Sequence, residues 1–307
     1  MSSPISNVLR TPVSWISAVK QGMRDAYTIY HPQAAPKGDT PAARGLEFEE
    51  LRITTSRDHV PLTGWVVPGH GPHTVVICHG MGRTKSSVLD HIALLHEAGH
   101  HVLAYDLRNH GESGRDGKLG RMADRFTRDL ADVLRTAGAD PRLGTGKLAV
   151  LAFSFSTWPA VYLLRDSAST VSATICDSGP MYDITGGFVR FSGLRWSTLD
   201  QSWRLPGAFT LYRWAFRFSA TRMLAVRGWP PKLPDTAGRM LFIAGARDRI
   251  VPSGDVMQVA DAYPHAQRWI GRMATHMNAV RLDKTEYRDL VREFLATAFD
   301  SEALRAS

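Results

Sequence analysis

Residues 147–160, Lys-Leu-Ala-Val-Leu-Ala-Phe-Ser-Phe-Ser-Thr-Trp-Pro-Ala, set an apolar run of strand length directly before a serine, and a helical segment follows with no spacer. A chain that turns this sharply from strand to helix tolerates only small residues at the corner. The side chains two before and two after the corner residue face the tight turn, where anything larger than Ala or Ser would clash with a strained backbone. Ala152 and Ser156 meet that condition around Ser154. Centred on Ser156, the flanks would be Ser154 and Trp158, and an indole does not fit. The corner therefore predicts a buried strand that carries Ser154 at its C-terminal end, within an α/β architecture.

A serine hydroxyl is a weak nucleophile near neutral pH. Ser154 would need a histidine to take its proton and a carboxylate to hold that histidine's tautomer. On corners of this kind the chain order is serine, acid, histidine. Residues 239–252 read as a buried strand running into a glycine turn with Asp248 just beyond it, and residues 267–273 as a short last strand before a loop carrying His276. Ser154, Asp248 and His276 thus fall in order on loops after three predicted strands. Asp177, at the end of the strand over 172–177, is the alternative acid.

Acyl transfer also needs two backbone N–H groups aimed at the oxygen that becomes negative. Phe155 supplies one as the residue after the nucleophile. Residues 74–82 form an apolar strand and a loop in which Gly80 and Gly82 let the backbone turn inward, so Met81 is the second donor. His79, at the root of that loop, reads as structural.

Three strings carry a wider resemblance. Residues 47–68 read as an opening hairpin, His79-Gly-Met-Gly82 as an oxyanion loop, and Ala104-Tyr-Asp-Leu-Arg-Asn-His-Gly-Glu-Ser113 as a strand entering a turn rich in Asp, Arg, His, Gly and Ser. With the Ser154 corner they resemble the α/β-hydrolase superfamily over most of the chain, in particular prokaryotic serine hydrolases of the aminopeptidase, lipase and esterase kind. The resemblance implies a mostly parallel eight-stranded sheet, helices on both faces, and a small helical cap inserted at about 181–235. It favours Asp248, whose surroundings match the family's Gly-x-x-Asp-x-x-Val-Pro turn, and makes Asp106, Arg108 and His110 turn-building residues. Ala152, Ser156 and Thr157 depart from it, since the family prefers glycine there.

The chain's 307 residues, 44% of them hydrophobic, can bury one large core. The expected layout is an N-terminal extension over 1–45 and one hydrolase domain over 46–307. The net charge of +8 is dispersed, with no run of five basic residues and no nucleic-acid-binding motif, so nucleic acid is not an expected partner. Cys78 and Cys176 end strands that the resemblance does not make neighbours, and both are expected to be free and buried in a reducing cytoplasm. His91, His96, His100 and His101 read as a solvated helix face, so no metal is expected, and no organic cofactor is implied.

Residues 1–30 hold no apolar run long enough for a bilayer span or a signal-peptide core, which favours a cytoplasmic location. Ile5, Leu9, Ile16, Val19, Met23 and Tyr27 recur on one helical side, interrupted at Pro12. The expectation is a helix docked on the body or on a dimer partner, in preference to a membrane-surface anchor. The cap segment is rich in aromatics, among them Trp203, Trp214 and Phe218, and in arginines, among them Arg204, Arg213 and Arg217. Trp214 and Phe218 are the substrate-binding candidates, and the arginines either attract an anionic group on the substrate or stand solvated.

These readings converge on a serine hydrolase that cleaves a carboxylic ester or related small acyl compound through an acyl-enzyme. A thioesterase or acyltransferase would use the same groups, and a non-catalytic scaffold would keep the fold without the chemistry.

Overall fold

The computed structural model describes residues 15–34, 36–166, 170–200 and 206–300. Ile5, Leu9, Pro12, Trp203 and Arg204 lie outside the described residues. Strands β1 Glu49–Thr54, β2 Pro61–Val67, β3 Thr74–Cys78, β4 His101–Tyr105, β5 Leu148–Phe153, β6 Val171–Asp177, β7 Arg239–Gly245 and β8 Gln267–Gly271 form one sheet. Its order is β1-β2-β4-β3-β5-β6-β7-β8. The β1-β2 hairpin and the β2-β4 pair are antiparallel, and the pairings from β4 through β8 are parallel. The helices are α1 Trp15–Tyr30, α2 Leu89–Glu97, α3 Met122–Ala139, α4 Thr157–Leu163, α5 Ile184–Ser197, α6 Ala208–Leu224, α7 Ser253–Ala260, α8 Ala279–Leu282 and α9 Lys284–Asp300.

The central strands β3 and β5 are buried at every position because both faces of the sheet are covered. Alternation along the strands sends Val76, Val150, Ala152, Cys176 and Phe242 to the face covered by α1, α3, α4, α6 and α7. Ile77, Leu151, Phe153, Ile175 and Ile243 point to the other face, against α2 and α9. The stripe Met122, Phe126, Leu130, Val133 and Leu134 of α3 is buried as its spacing predicts, and each of the larger side chains contributes roughly 1.5–3 kcal/mol on burial. Cys78 and Cys176 are free, buried and kept apart by β5.

Between β6 and β7 the chain leaves the sheet for α5 and α6. Helix α1 lies along α6, but not on the side its large apolar residues suggested. Ala18, Gly22, Ala26 and Tyr30 are buried, whereas Ile16, Met23 and Tyr27 are exposed. Close approach explains the inversion: a Cβ at Gly22 would fall 2.5 Å from the Tyr212 carbonyl oxygen, so the middle of this seam admits no large side chain. Polar contacts fix its register. Asp25, almost fully buried, accepts from the Tyr212 hydroxyl at 2.8 Å and the Gln21 amide at 2.9 Å, and the Tyr30 hydroxyl donates to the Ala220 carbonyl at 2.9 Å. Among the described residues no helix is long and apolar enough to cross a membrane.

Candidate active site

Ser154 follows the last residue of β5 and has φ +51°, a left-handed conformation that is uncommon for a non-glycine residue. Its surroundings hold it there. Ala152 and Ser156 are fully buried, and the Thr157 hydroxyl donates to the Ser154 carbonyl at 2.5 Å. Ser156 Oγ donates to the His79 carbonyl at 2.5 Å, so the position where the family prefers glycine carries a hydroxyl that ties the corner to the loop after β3. Ser156 is thereby committed to a structural bond, and Ser154 carries the freer hydroxyl at the corner.

The three residues expected to act together converge at the C-terminal ends of β5, β7 and β8, where open parallel sheets place their ligands. His276 Nε2 lies 2.8 Å from Ser154 Oγ, and His276 Nδ1 lies 2.7 Å from Asp248 Oδ2. Asp248 Oδ1 accepts from the Ile250 and Val251 N–H groups at 2.8 and 2.9 Å. Because an ionised carboxylate only accepts, Nδ1 carries the proton toward Asp248, which leaves Nε2 free to accept from the serine. The loop around His276 is braced on one flank by Asn278, whose Oδ1 accepts from the Thr275 N–H at 2.7 Å.

Asp177, the alternative acid, is fully buried and hydrogen-bonds Ser178 and Tyr287, while the histidine ring is engaged by Asp248. Burial pushes its carboxyl up to about 6, against the hydrogen bonds from Ser178 and Tyr287.

The loop after β3 approaches the serine closely: a Cβ at Gly80 would sit 3.4 Å from Ser154 Cβ. Two histidines fasten it on either side of Met81. His79 Nδ1 donates to the Gly80 carbonyl at 2.8 Å, and its Nε2 accepts from the Leu107 N–H at 3.1 Å. His110 Nδ1 donates to the Arg108 carbonyl at 2.8 Å, and its Nε2 accepts from the Gly82 N–H at 3.1 Å. Each ring needs one acceptor nitrogen and therefore works as the neutral imidazole. Burial favours that form, lowering His79 and taking His110 down to about 3. His79 is structural, as its place at the loop's root implied. His110, expected only as a turn builder, reaches the loop after β3 because β3 and β4 are neighbours, which the residues themselves do not announce. Its companions do build the turn: Asp106 accepts from the Lys85 ammonium at 2.7 Å, and Arg108 grips Asp129 through two bonds of 2.6 Å.

Phe155, half-buried, packs edge-on against Tyr30 of α1 at 5.9 Å and against Phe126 of α3 at 5.2 Å. Met81 is also half-buried against the core. Trp214 and Phe218 do not join the site. They stack on each other on the solvent side of α6, 52% and 58% exposed, and among the described residues share no hydrogen bond or ring contact with Ser154, Asp248 or His276. The helical period decides this: Tyr212, Ala215, Phe216 and Ala220 face inward, so 214 and 218 point out.

A serine–histidine–aspartate chain at the strand ends of such a sheet defines the class. A family model described as alpha/beta hydrolase family matches residues 75–290, and the chain belongs to that family. No curated protein sequence matches it. Among solved structures it is similar to an esterase from Pyrococcus furiosus, with 22% identity, 88% of this chain and 97% of the other covered, and a TM-score of 0.68. It is also similar to a thermophilic esterase from Thermogutta terrifontis (18% identity, 82% and 99% covered, TM-score 0.59) and to an esterase from Exiguobacterium antarcticum (16%, 81% and 99%, 0.56). At these identities the likeness is one of fold.

Proposed function

We propose that the protein is a serine hydrolase that cleaves carboxylic esters of small acyl compounds. The observation that carries this reading is the unbroken chain from Asp248 through His276 to Ser154, with the nucleophile on a strained left-handed corner. Ser154 Oγ attacks the acyl carbon as its proton passes to His276 Nε2. Asp248 stabilises the resulting imidazolium through Nδ1. The carbonyl π electrons move onto oxygen, where the N–H groups of Met81 and Phe155 receive them, each worth roughly 2.7–4 kcal/mol in comparable sites. Collapse of that intermediate expels the alcohol, protonated by His276, and leaves an ester on Ser154. Water, deprotonated by His276, then attacks the same carbon, and the bond to Ser154 Oγ breaks as His276 returns that proton to the serine, releasing the acid.

Esterase neighbours of the same fold favour an ester over other acyl substrates. The test is incubation with a fluorophosphonate probe and a series of p-nitrophenyl esters. Labelling at Ser154 with ester turnover, both lost in Ser154→Ala, is the expected result. A protein that neither labels nor turns over any ester would be the scaffold reading instead.

A further inference from the structure

The histidine loop is held at a second place. Met277, the residue after His276, has φ +60°, and its N–H donates to Ser178 Oγ at 2.9 Å. Ser178 itself has φ +58°, is buried, and is anchored through its own N–H to the Ile243 carbonyl of β7 at 2.9 Å. Since Ser178 Oγ accepts from Met277, its hydrogen points the other way, to Asp177 Oδ1 at 2.8 Å. The other oxygen of Asp177 accepts from the Tyr287 hydroxyl of α9 at 2.8 Å. A buried carboxylate thus polarises a hydroxyl that grips the backbone of the catalytic loop, and hydrogen bonds to an ionised group are about twice as strong as neutral ones.

The Met277 side chain sets the other half of the geometry. Its sulfur would lie 2.7 Å from a Cβ at Gly80, so the residue held by Ser178 also rests on the oxyanion loop. Two non-glycine residues in left-handed conformations, 99 positions apart in the chain and joined by one hydrogen bond, form a strained pair that persists only if its surroundings fix it.

We propose that Asp177 is a positioning residue, acting through Ser178 on the Met277 backbone to hold His276 in line with Ser154 and the oxyanion loop. One carboxylate, Asp248, orients the ring, and a second, Asp177, places the loop that carries it. This rests on the hydrolase reading above, since it assigns Asp177 a part in the same reaction.

Fluorophosphonate labelling kinetics test it without knowledge of the substrate. Ser178→Gly removes the hydroxyl while suiting a left-handed backbone, and Asp177→Ala removes the acceptor behind it. Both are expected to lower the maximal labelling rate by about 10–100-fold with half-saturation unchanged, as a displacement of about 1 Å does elsewhere, and their effects should not add in the double variant. Asp177→Asn keeps a carbonyl oxygen for Ser178 and is expected to stay within about threefold of the parent, whereas a true triad acid would lose about 10⁴-fold on that change. Melting temperatures are read in parallel. If Asp177→Ala does not fold, Ser178→Gly decides. Labelling at the parental rate in folded Ser178→Gly overturns the proposal and leaves the hydrolase reading intact, and a 10³-fold or larger loss in Asp177→Asn makes Asp177 the acid instead. A parent protein that does not label at all removes both.

Discussion

Ser156 and His79 are joined by a hydrogen bond from the serine hydroxyl to the histidine carbonyl, 2.5 Å long and fully buried, which fastens the Ser154 corner to the loop after β3. The two serines of the corner therefore have separable tasks. Ser154→Ala should abolish fluorophosphonate labelling and lower ester turnover by roughly three orders of magnitude or more. Ser156→Ala should keep labelling, lose less than about tenfold in turnover, and lose about 1–3 kcal/mol of stability, because the His79 carbonyl is left buried without its partner. Mass spectrometry of the adduct and urea unfolding distinguish them. An adduct on Ser156 would reverse the assignment.

Asp248 should be the residue whose carboxylate matters to the ring. In Asp248→Asn, one oxygen can still accept from Ile250 and Val251, but the amide then presents a donor to His276 Nδ1. The ring must take the other tautomer, and its Nε2 can no longer accept from Ser154. The expected loss in turnover is about 10²–10⁴-fold with the melting temperature little changed. Turnover within tenfold of the parent would count against Asp248.

Much of the site was legible because it is local. Ser154, Asp248 and His276 each sit on a loop directly after a strand, and strand ends show in the apolar runs. What was hidden depends on which strands and helices become neighbours. The bond from Gly82 to His110 spans 28 positions and exists because β3 and β4 pair. The direction of Trp214 and Phe218 was hidden for another reason: α6 is apolar on several sides, so composition marks it as a cap helix without saying which ring faces the catalytic centre. In α1 the large residues drew attention, but the seam with α6 is made by Ala18, Gly22 and Ala26, whose value is the absence of bulk.

Acid should destabilise the fold through its buried histidines. Burial takes His91 and His110 down to about 3 and lowers His79. In the unfolded chain these rings bind protons below about 6.5. Stability from holding them neutral is therefore present above that pH and is lost as pH falls, by up to about 1.4 kcal/mol per pH unit for each ring. Asp177 opposes this in part: with its folded value raised to about 6, its stabilising effect is present at low pH and lost as pH rises from about 4 through 6. His91, expected on a solvated helix face, is instead buried against the sheet and isolates the effect, since among the described residues neither of its ring nitrogens has a hydrogen-bond partner and it packs on Phe153 at 4.4 Å and Tyr287 at 5.7 Å. Asp90 and Arg281 are the charges that act on it, in opposite directions. His91→Phe should raise the urea midpoint at pH 7 and raise it further at pH 5. An equal shift at both values would show that the ring's protonation is not involved.

The seam between α1 and α6 should matter to catalysis as well as to stability, because α1 ends against Phe155, the proposed oxyanion donor. Tyr30 closes the helix, bonds the Ala220 carbonyl of α6, and lies edge-on against Phe155, while its own carbonyl accepts from Asn109 at 3.1 Å. A Cβ at Gly22 meets the Tyr212 carbonyl at 2.5 Å and the Phe216 nitrogen at 3.0 Å, both backbone atoms that cannot turn aside. Gly22→Leu therefore has to push α1 away from α6. The expected stability loss is about 1–3 kcal/mol, from overpacking. Because the displaced helix carries Tyr30, turnover and the maximal labelling rate should fall together. Gly22→Ala, with the smallest side chain that tests the seam, should show the same changes at smaller amplitude. Thermal unfolding measured alongside labelling kinetics separates the outcomes: a lower melting temperature with parental labelling at 25 °C would mean that α1 supports the cap alone and that Phe155 keeps its place without Tyr30.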